Sequence, residues 1–352
     1  MKFYPLLSVV AAVIALPVYS QESSVPSSPK NSATTLASDN VKPGDNAVRE
    51  ALGKKEGDTD QTSLLKQTLT AVDKDYTLIK RGAFQLTYDL NYTYIGQEKI
   101  NTDLSSGTAT LFNIENVNSH TIVNTFSLDY GLLNNLTGNL TLPFVSKYTQ
   151  STLLDGMSNT IGDISLGARL QPFEAQRDQA SMTFTGSLRL PTGTSPFKVV
   201  AGSGIATGSG VFAISGGLNV NKIVDPVAIF GSLNLSYSVP AKHLSQVLGS
   251  QVLTEVKPGL GIGFGAGFAY ALSYAITTSI SFQESITAAS RLTFTNGINT
   301  SSTHTTPQTS SVLNIGMGYR ISPKTTINTS VGIGLTANSP NFSIDMTMPL
   351  SF

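Results

Sequence analysis

Phe84-Gln85-Leu86-Thr87-Tyr88-Asp89-Leu90-Asn91-Tyr92-Thr93-Tyr94 alternates apolar and polar residues without a break. Successive side chains of a β-strand point to opposite faces, so one face of this segment is Phe, Leu and Tyr. The other face is Gln, Thr, Asp and Asn. The end of the chain repeats the pattern, with Phe342, Ile344, Met346, Met348, Leu350 and Phe352 set against Ser343, Asp345, Thr347 and Ser351. Ten further segments with the same period lie between them, near residues 121–130, 136–145, 161–170, 180–190, 210–220, 227–239, 258–270, 275–286, 310–320 and 326–335. Twelve is an even number, which returns both ends of an antiparallel barrel to one side. A soluble β-sandwich also alternates, but it buries the large residues in a core. Here an aromatic and Leu-rich face alternates with a face of Ser, Thr, Asn, Gly, Asp and Arg. A polar interior and an apolar exterior predict an all-β fold, a transmembrane antiparallel β-barrel of about 12 strands.

The residues before the barrel divide into three. Lys2, the apolar run Leu6 to Leu16 and Val18-Tyr19-Ser20 read as an export signal over residues 1–20. That apolar run is far below the roughly 20 residues a membrane helix needs. Residues 21–60 hold Ser, Pro, Asn, Thr, Gly and charges but no aromatic residue, which predicts a disordered periplasmic tail. Within residues 61–81, Leu65, Leu69, Val72 and Tyr76 fall on one helical stripe. A short helix is expected there, as a plug or a linker, with the barrel over residues 82–352.

Composition narrows the function. Charged residues make up only 12% of the 352, and Lys+Arg equals Asp+Glu at 22 each, so no positive excess exists to hold nucleic acid. Cysteine is absent, which excludes disulfides, thiol catalysis and zinc-thiolate sites. The three histidines, His120, His243 and His304, fall in or beside separate predicted loops and make no metal-ligand spacing. The glycine runs near residues 202–210 and 259–267 lack the strand-loop-helix setting of a phosphate loop. Neither an enzyme nor a cofactor is expected.

Connection lengths orient the barrel. Residues 131–135, 221–226, 271–274 and 321–325 read as short periplasmic turns, and 171–179 is longer than its class. Residues 95–120, 191–209, 240–256 and 288–309 read as long polar loops on the outer side. Phe352, closing an alternating strand, fits the signal that barrel-assembly machinery reads.

Parity then assigns the lumen. Asp89, Asp129, Asp163, Arg169, Arg189, Arg320 and Asp345 all point inward, either as mutually paired wall charges or as a polar constriction. Gly259, Gly261, Gly263, Gly265 and Gly267 share one parity, opposite to Leu260, Ile262, Phe264, Ala266 and Phe268. They make a strip of bare backbone on the inner wall, either a flexible bend or a place for another segment to approach closely. The Leu65, Leu69, Val72, Tyr76 stripe is the expected occupant.

Residues 124–143, Gly162-Asp163-Ile164-Ser165-Leu166-Gly167 and Leu190-Pro191-Thr192-Gly193-Thr194-Ser195-Pro196 resemble the outer-membrane transporter family named after the meta-pathway of phenol degradation. Leu69-Thr70-Ala71-Val72-Asp73-Lys74-Asp75-Tyr76-Thr77-Leu78-Ile79-Lys80 is similar to the pre-barrel segment of Fap-type functional-amyloid secretion channels. The second resemblance implies a twelve-stranded, helix-plugged homotrimer that exports polypeptide to the cell surface. The broader family implies passive uptake of hydrophobic or aromatic small molecules. A structural or adhesive barrel working through its long loops is the third expectation. The partners expected are outer-membrane lipid, the assembly machinery and the translocated solute or polypeptide.

Overall fold

The computed structural model describes residues 78–102, 112–151, 155–173, 179–199, 204–224, 227–248, 251–273, 275–322 and 325–350. The described strands begin with β1 (Phe84–Thr102), β2 (Phe112–Leu133), β3 (Leu136–Gln150), β4 (Asp155–Ile161), β5 (Ile164–Leu170) and β6 (Ser181–Leu190). They continue with β7 (Ala213–Val224), β8 (Val227–Ser238), β9 (Ala241–Leu248), β10 (Gln251–Lys257), β11 (Gly261–Ala271) and β12 (Ile276–Thr287). The last are β13 (Arg291–Thr295), β14 (Thr300–His304), β15 (Gln308–Ser322), β16 (Thr325–Gly334) and β17 (Phe342–Leu350).

Twelve of these close into an antiparallel barrel in the order β2-β1-β17-β16-β15-β12-β11-β8-β7-β6-β5-β3, with β3 pairing back onto β2. The seam joins the first and last described strands, Leu86 opposite Leu350 and Tyr94 opposite Phe342. Exposure follows the pleat. Leu140, Leu166, Leu188, Leu233, Phe264 and Ile315 are exposed on the outside, while Thr87, Asn91, Thr125, Asn219, Ser281 and Asn314 are buried on the inside. In water this arrangement would be inside out, since it presents large side chains to solvent and buries hydroxyls and amides. With lipid outside, every strand satisfies both solvents. The alternation in the sequence is the imprint of that environment.

Three predicted connections carry strands in place of loops. Residues 95–120, expected as a loop, mostly continue the ladder, with Gly96 opposite Asn118 and Thr102 opposite Phe112. Past Ile95 the unbroken alternation gives way, with Ile100, Phe112, Ile114 and Val117 set among Gln, Glu, Lys, Asn and Thr, so the periodic signal fades while the backbone pairing continues. Residues 240–256 and 288–309 carry a second, four-stranded sheet ordered β14-β13-β10-β9. It has a small core of its own, in which Phe197, Val211, Leu253, Val256, Leu292 and Phe294 pack together with Ala241 and Leu244 alongside. Burying such a side chain is worth roughly 1.5–3 kcal/mol, so these residues form a packed cap. A register slip between Leu253 and Glu255 bends the sheet. His243 lies on the bulged side with φ of 57°.

Candidate functional site

One strand of the barrel wall is broken. β4 pairs with the outer half of β3 up to Phe144–Ile161, and β5 pairs with the inner half from Thr141–Ser165. Gly162 and Asp163 lie between them, so β4 and β5 are one strand interrupted by a bulge that carries one extra residue. On its other side β5 pairs with β6 only as far as Ile164–Leu190. Pro191 follows and has no N–H to continue the ladder. Thr192 takes over with its side chain, accepting from the Ile164 N–H at 2.9 Å and donating to the Gly162 carbonyl at 2.8 Å. Beyond that point the outer edge of β4 pairs with no strand among the described residues.

The connection from β6 to β7 fills this break from the lumen side. Asp163 Oδ1 accepts from Gly193 N at 3.0 Å, and Oδ2 accepts from Ser209 N at 2.7 Å and Ser209 Oγ at 2.6 Å. Arg189, an inward-facing residue of β6, stands 3.9 Å from the same carboxylate, and both side chains are nine-tenths buried. Thr160 and Thr207 hydroxyls bond at 2.6 Å just above. Gly193 and Gly208 cross closely: a Cβ at Gly193 would lie 2.8 Å from Gly208 Cα, and one at Gly208 would strike the Asp163 carboxylate. Residues 191–199 and 204–209, expected as part of an outer loop, are therefore tied down onto the inner wall. Hydrogen bonds to a charged group contribute roughly 1.5–3 kcal/mol each, enough for one carboxylate to hold the segment. The same segment enters the cap, where Phe197 and Val211 are core residues and Gln246 Nε2 donates to Pro196 O at 2.9 Å and Val199 O at 2.7 Å.

The seven predicted lumen charges lie in separate groups, not in one ring. Asp129 pairs with Arg169 at 2.6 Å and accepts from Asn139 Nδ2 at 2.6 Å. Asp163 faces Arg189 at the wall break. Asp89 and Asp345 sit on adjoining strands, bonded by Thr347 Oγ1 at 3.0 Å and Asn91 Nδ2 at 2.8 Å respectively. Arg320 is exposed near the turn that follows β15.

The glycine strip divides as well. Gly261, Gly263 and Gly265 are buried on the inner face of β11. Gly259 precedes the strand, and a Cβ there would strike the Ala288 carbonyl, so its glycine serves a tight crossing of two connections. Gly267 is covered: a Cβ would come within 2.5 Å of the Phe230 ring. Phe230 is an inward, buried aromatic on β8, directly opposite Gly267. Ser232 and Gln283 flank Gly265, and Asn234 and Ser285 flank Gly263. Gln283 and Ser285 have 0% exposure. Both amide atoms of Gln283, the hydroxyls of Ser232 and Ser285, and Asn314 Nδ2 lack a hydrogen-bond partner among the described residues. Each such group costs roughly 1–3 kcal/mol.

Leu65, Leu69, Val72, Tyr76 and Phe352 lie outside the described residues. The chain just before β1 runs into the mouth of the barrel: Ile79 N donates to the hydroxyl of Thr137, an inward and fully buried residue, at 3.3 Å. His120 faces outward among tyrosines, its Nδ1 2.9 Å from Tyr92 Oη and its ring 4.9 Å from that of Tyr94. His304 lies in β14, apart from it. No group of three His, Cys, Asp or Glu side chains is placed to hold a metal among the described residues.

A closed barrel with an apolar exterior, a polar interior and a tethered inner segment is an outer-membrane β-barrel. Residues 115–347 match the family model described as MetA-pathway of phenol degradation, and the chain belongs to that family. Among solved structures it is similar to the COG4313 outer membrane channel from Pseudomonas putida F1, with TM-score 0.59, 15% identity, and coverage of 79% of this chain and 98% of that one. The translocator domain of autotransporter NalP from Neisseria meningitidis is more distant, with TM-score 0.46, 12% identity, and 88% and 98% coverage. The Pseudomonas putida toluene transporter TodX aligns with TM-score 0.42, 11% identity, and 80% and 90% coverage.

Proposed function

We propose that this protein is an outer-membrane channel for small hydrophobic or aromatic solutes. The observation that carries the reading is the wall break beside β4, filled from within by a segment that hangs on Asp163. A tight, fully laddered wall would suffice for a barrel with no traffic. A break closed by a removable segment suits a solute that dissolves in lipid and passes between bilayer and lumen. The helical stripe read in the sequence of residues 61–81 is a second closure in this proposal, at the end of the barrel where the Ile79 N–H bonds to Thr137. Family membership agrees with an aromatic cargo.

Liposomes containing the protein test this. Uptake of a small arene should exceed that of empty liposomes, and the gain should grow when Asp163 is replaced by Asn. If arene uptake matches that of empty liposomes for both proteins, the reading fails. Export of an unfolded polypeptide, implied by the likeness of residues 69–80 to amyloid-secretion channels, would require the tethered segment to withdraw from the lumen. Loss of surface fibres on deleting the chain is the outcome that favours that alternative.

A further inference from the structure

We infer that Gly261, Gly263 and Gly265, with Ser232, Gln283 and Ser285 beside them, form a binding site for a planar aromatic ring that carries a hydroxyl or amide on its edge. The inference deepens the channel reading and rests on it: the site is a station for solute on the inner wall.

The bed is flat because three successive inward positions of β11 carry no side chain. Alternate residues of a strand lie about 6.8 Å apart, so the strip is long enough for one or two rings. The structure already shows how a ring uses such a surface. Phe230 lies over Gly267, the next glycine of the row, so closely that no Cβ would fit beneath it. A ring on Gly265 would sit beside Phe230, in reach of an offset or edge contact.

The rim gives the second, independent observation. Gln283 stands opposite Gly265 with 0% exposure, and neither its amide oxygen nor its amide nitrogen has a partner among the described residues. Ser285 Oγ, opposite Gly263, and Ser232 Oγ, on the other flank of Gly265, are in the same condition. The rim thus offers donors and acceptors beside the bed, while the bed offers none. Gly261, Gly263 and Gly265 lie in a ladder between β8 and β12, so their backbone is already engaged. That division discriminates among ligands. An extended peptide needs a free strand edge, which β11 lacks. A saccharide presents hydroxyls to a bed that cannot answer them. Plain hydrocarbon leaves the rim unsatisfied. A phenol-like or amide-bearing arene matches both parts, with its face on the glycines and its polar group on Gln283 and Ser285. Gln283 and Ser285 have no exposed surface, so a ring reaches the bed only with local rearrangement around it.

The test uses the full chain in detergent micelles with phenol, benzene and cyclohexanol as probes, read by saturable binding in calorimetry or saturation-transfer NMR. Phenol should bind at least about tenfold more tightly than the other two. Gln283→Leu should weaken phenol about tenfold and leave benzene unchanged, as expected for the loss of one or two buried hydrogen bonds. Gly265→Leu should abolish phenol binding. Gly265→Ala, a smaller change checked for heat-modifiable gel mobility, should weaken it if the larger variant fails to assemble. Equal binding of all three probes, insensitive to Gln283→Leu, means partition into the micelle only and overturns the site. Solute flux through liposomes, measured on the same proteins, separates the two readings. Flux with wild-type phenol binding in both variants sinks the site and leaves the channel. The predicted binding pattern without flux of any solute leaves the site and sinks the channel.

Discussion

Ser209 donates twice to Asp163, from its backbone N–H at 2.7 Å and its hydroxyl at 2.6 Å, although the two residues are 46 apart in the chain. The pair fastens the β6–β7 connection, which Gly193, Thr207 and Gln246 also help to hold, to the break in the wall between β4 and β5. Asp163→Asn keeps the shape but removes the charge and one acceptor. It should release residues 191–209 at a cost of roughly 2–4 kcal/mol of anchoring. In planar bilayers the expected outcome is a rise in open probability of at least about tenfold, with unchanged heat-modifiable mobility on gels. Ser209→Ala should give a smaller rise, because the backbone donor remains. Currents indistinguishable from wild type in both variants would show that the tether does not gate.

The lipid face gives a sharper contrast. Leu140 and Leu233 are exposed on the outside, whereas Thr141 and Asn234 face the lumen. Leu140→Arg or Leu233→Arg should block insertion, since a charge near the bilayer midplane costs roughly 2–4 kcal/mol. Thr141→Arg, one residue along, should assemble. Equal yields of folded protein for Leu140→Arg and Thr141→Arg would refute the assignment of the two faces.

The cap should melt separately from the barrel. Leu253 and Leu292 are almost fully buried in its core, so replacing either with Ala should cost about 2–5 kcal/mol. That is enough to open so small a sheet, while the hydrogen-bonded barrel beneath it persists. Protease added to intact cells should then cut within residues 241–257 or 291–304 in the variant and not in the wild type. A variant that loses the whole barrel would show that cap and wall fold as one unit.

Single cysteines can be read cleanly because the chain has none of its own. Ile298, at the tip of the β13–β14 hairpin, is 91% exposed, and a cysteine there should label from outside intact cells. A cysteine at Asn134, in the turn between β2 and β3, should label only after the outer membrane is permeabilised. The reverse pattern would invert the orientation.

The stripe within residues 61–81 is the proposed second closure, so deleting residues 62–76 should leave the barrel assembled and raise its conductance. A deletion variant that conducts like wild type would make the segment a linker.

The barrel was legible because lipid imposes its demand on every second residue of every wall strand, and twelve repeats leave a strong pattern. The same parity marked Asp163 and Arg189, which lie buried together at the wall break. It did not mark their other partners. Nothing near Asp163 announces Gly193 or Ser209, which reach it only after the chain has turned through two strands. Gly162 and Asp163 interrupt a segment whose residues keep alternating on either side, so the bulge was invisible to a count of periods. In the cap, Leu253 and Val256, or Leu292 and Phe294, are runs too short to stand out between longer ones. Phe230 did carry a signal, as a large aromatic at an inward position among Ala228, Ser232 and Asn234. Gln283 carried none, since an inward amide is ordinary in a polar lumen and only its burial sets it apart.

The seam between β1 and β17 bears on how the molecule is made. Thr347 bonds to Asp89 across 258 residues of chain, and the whole register from Leu86–Leu350 to Tyr94–Phe342 depends on the final strand. Until that strand is in place, the barrel has two open edges whose backbone groups need other partners. Contacts this distant in sequence form slowly. The interval before closure is therefore the stage most exposed to aggregation, and the stage at which a helper that shields both edges would act.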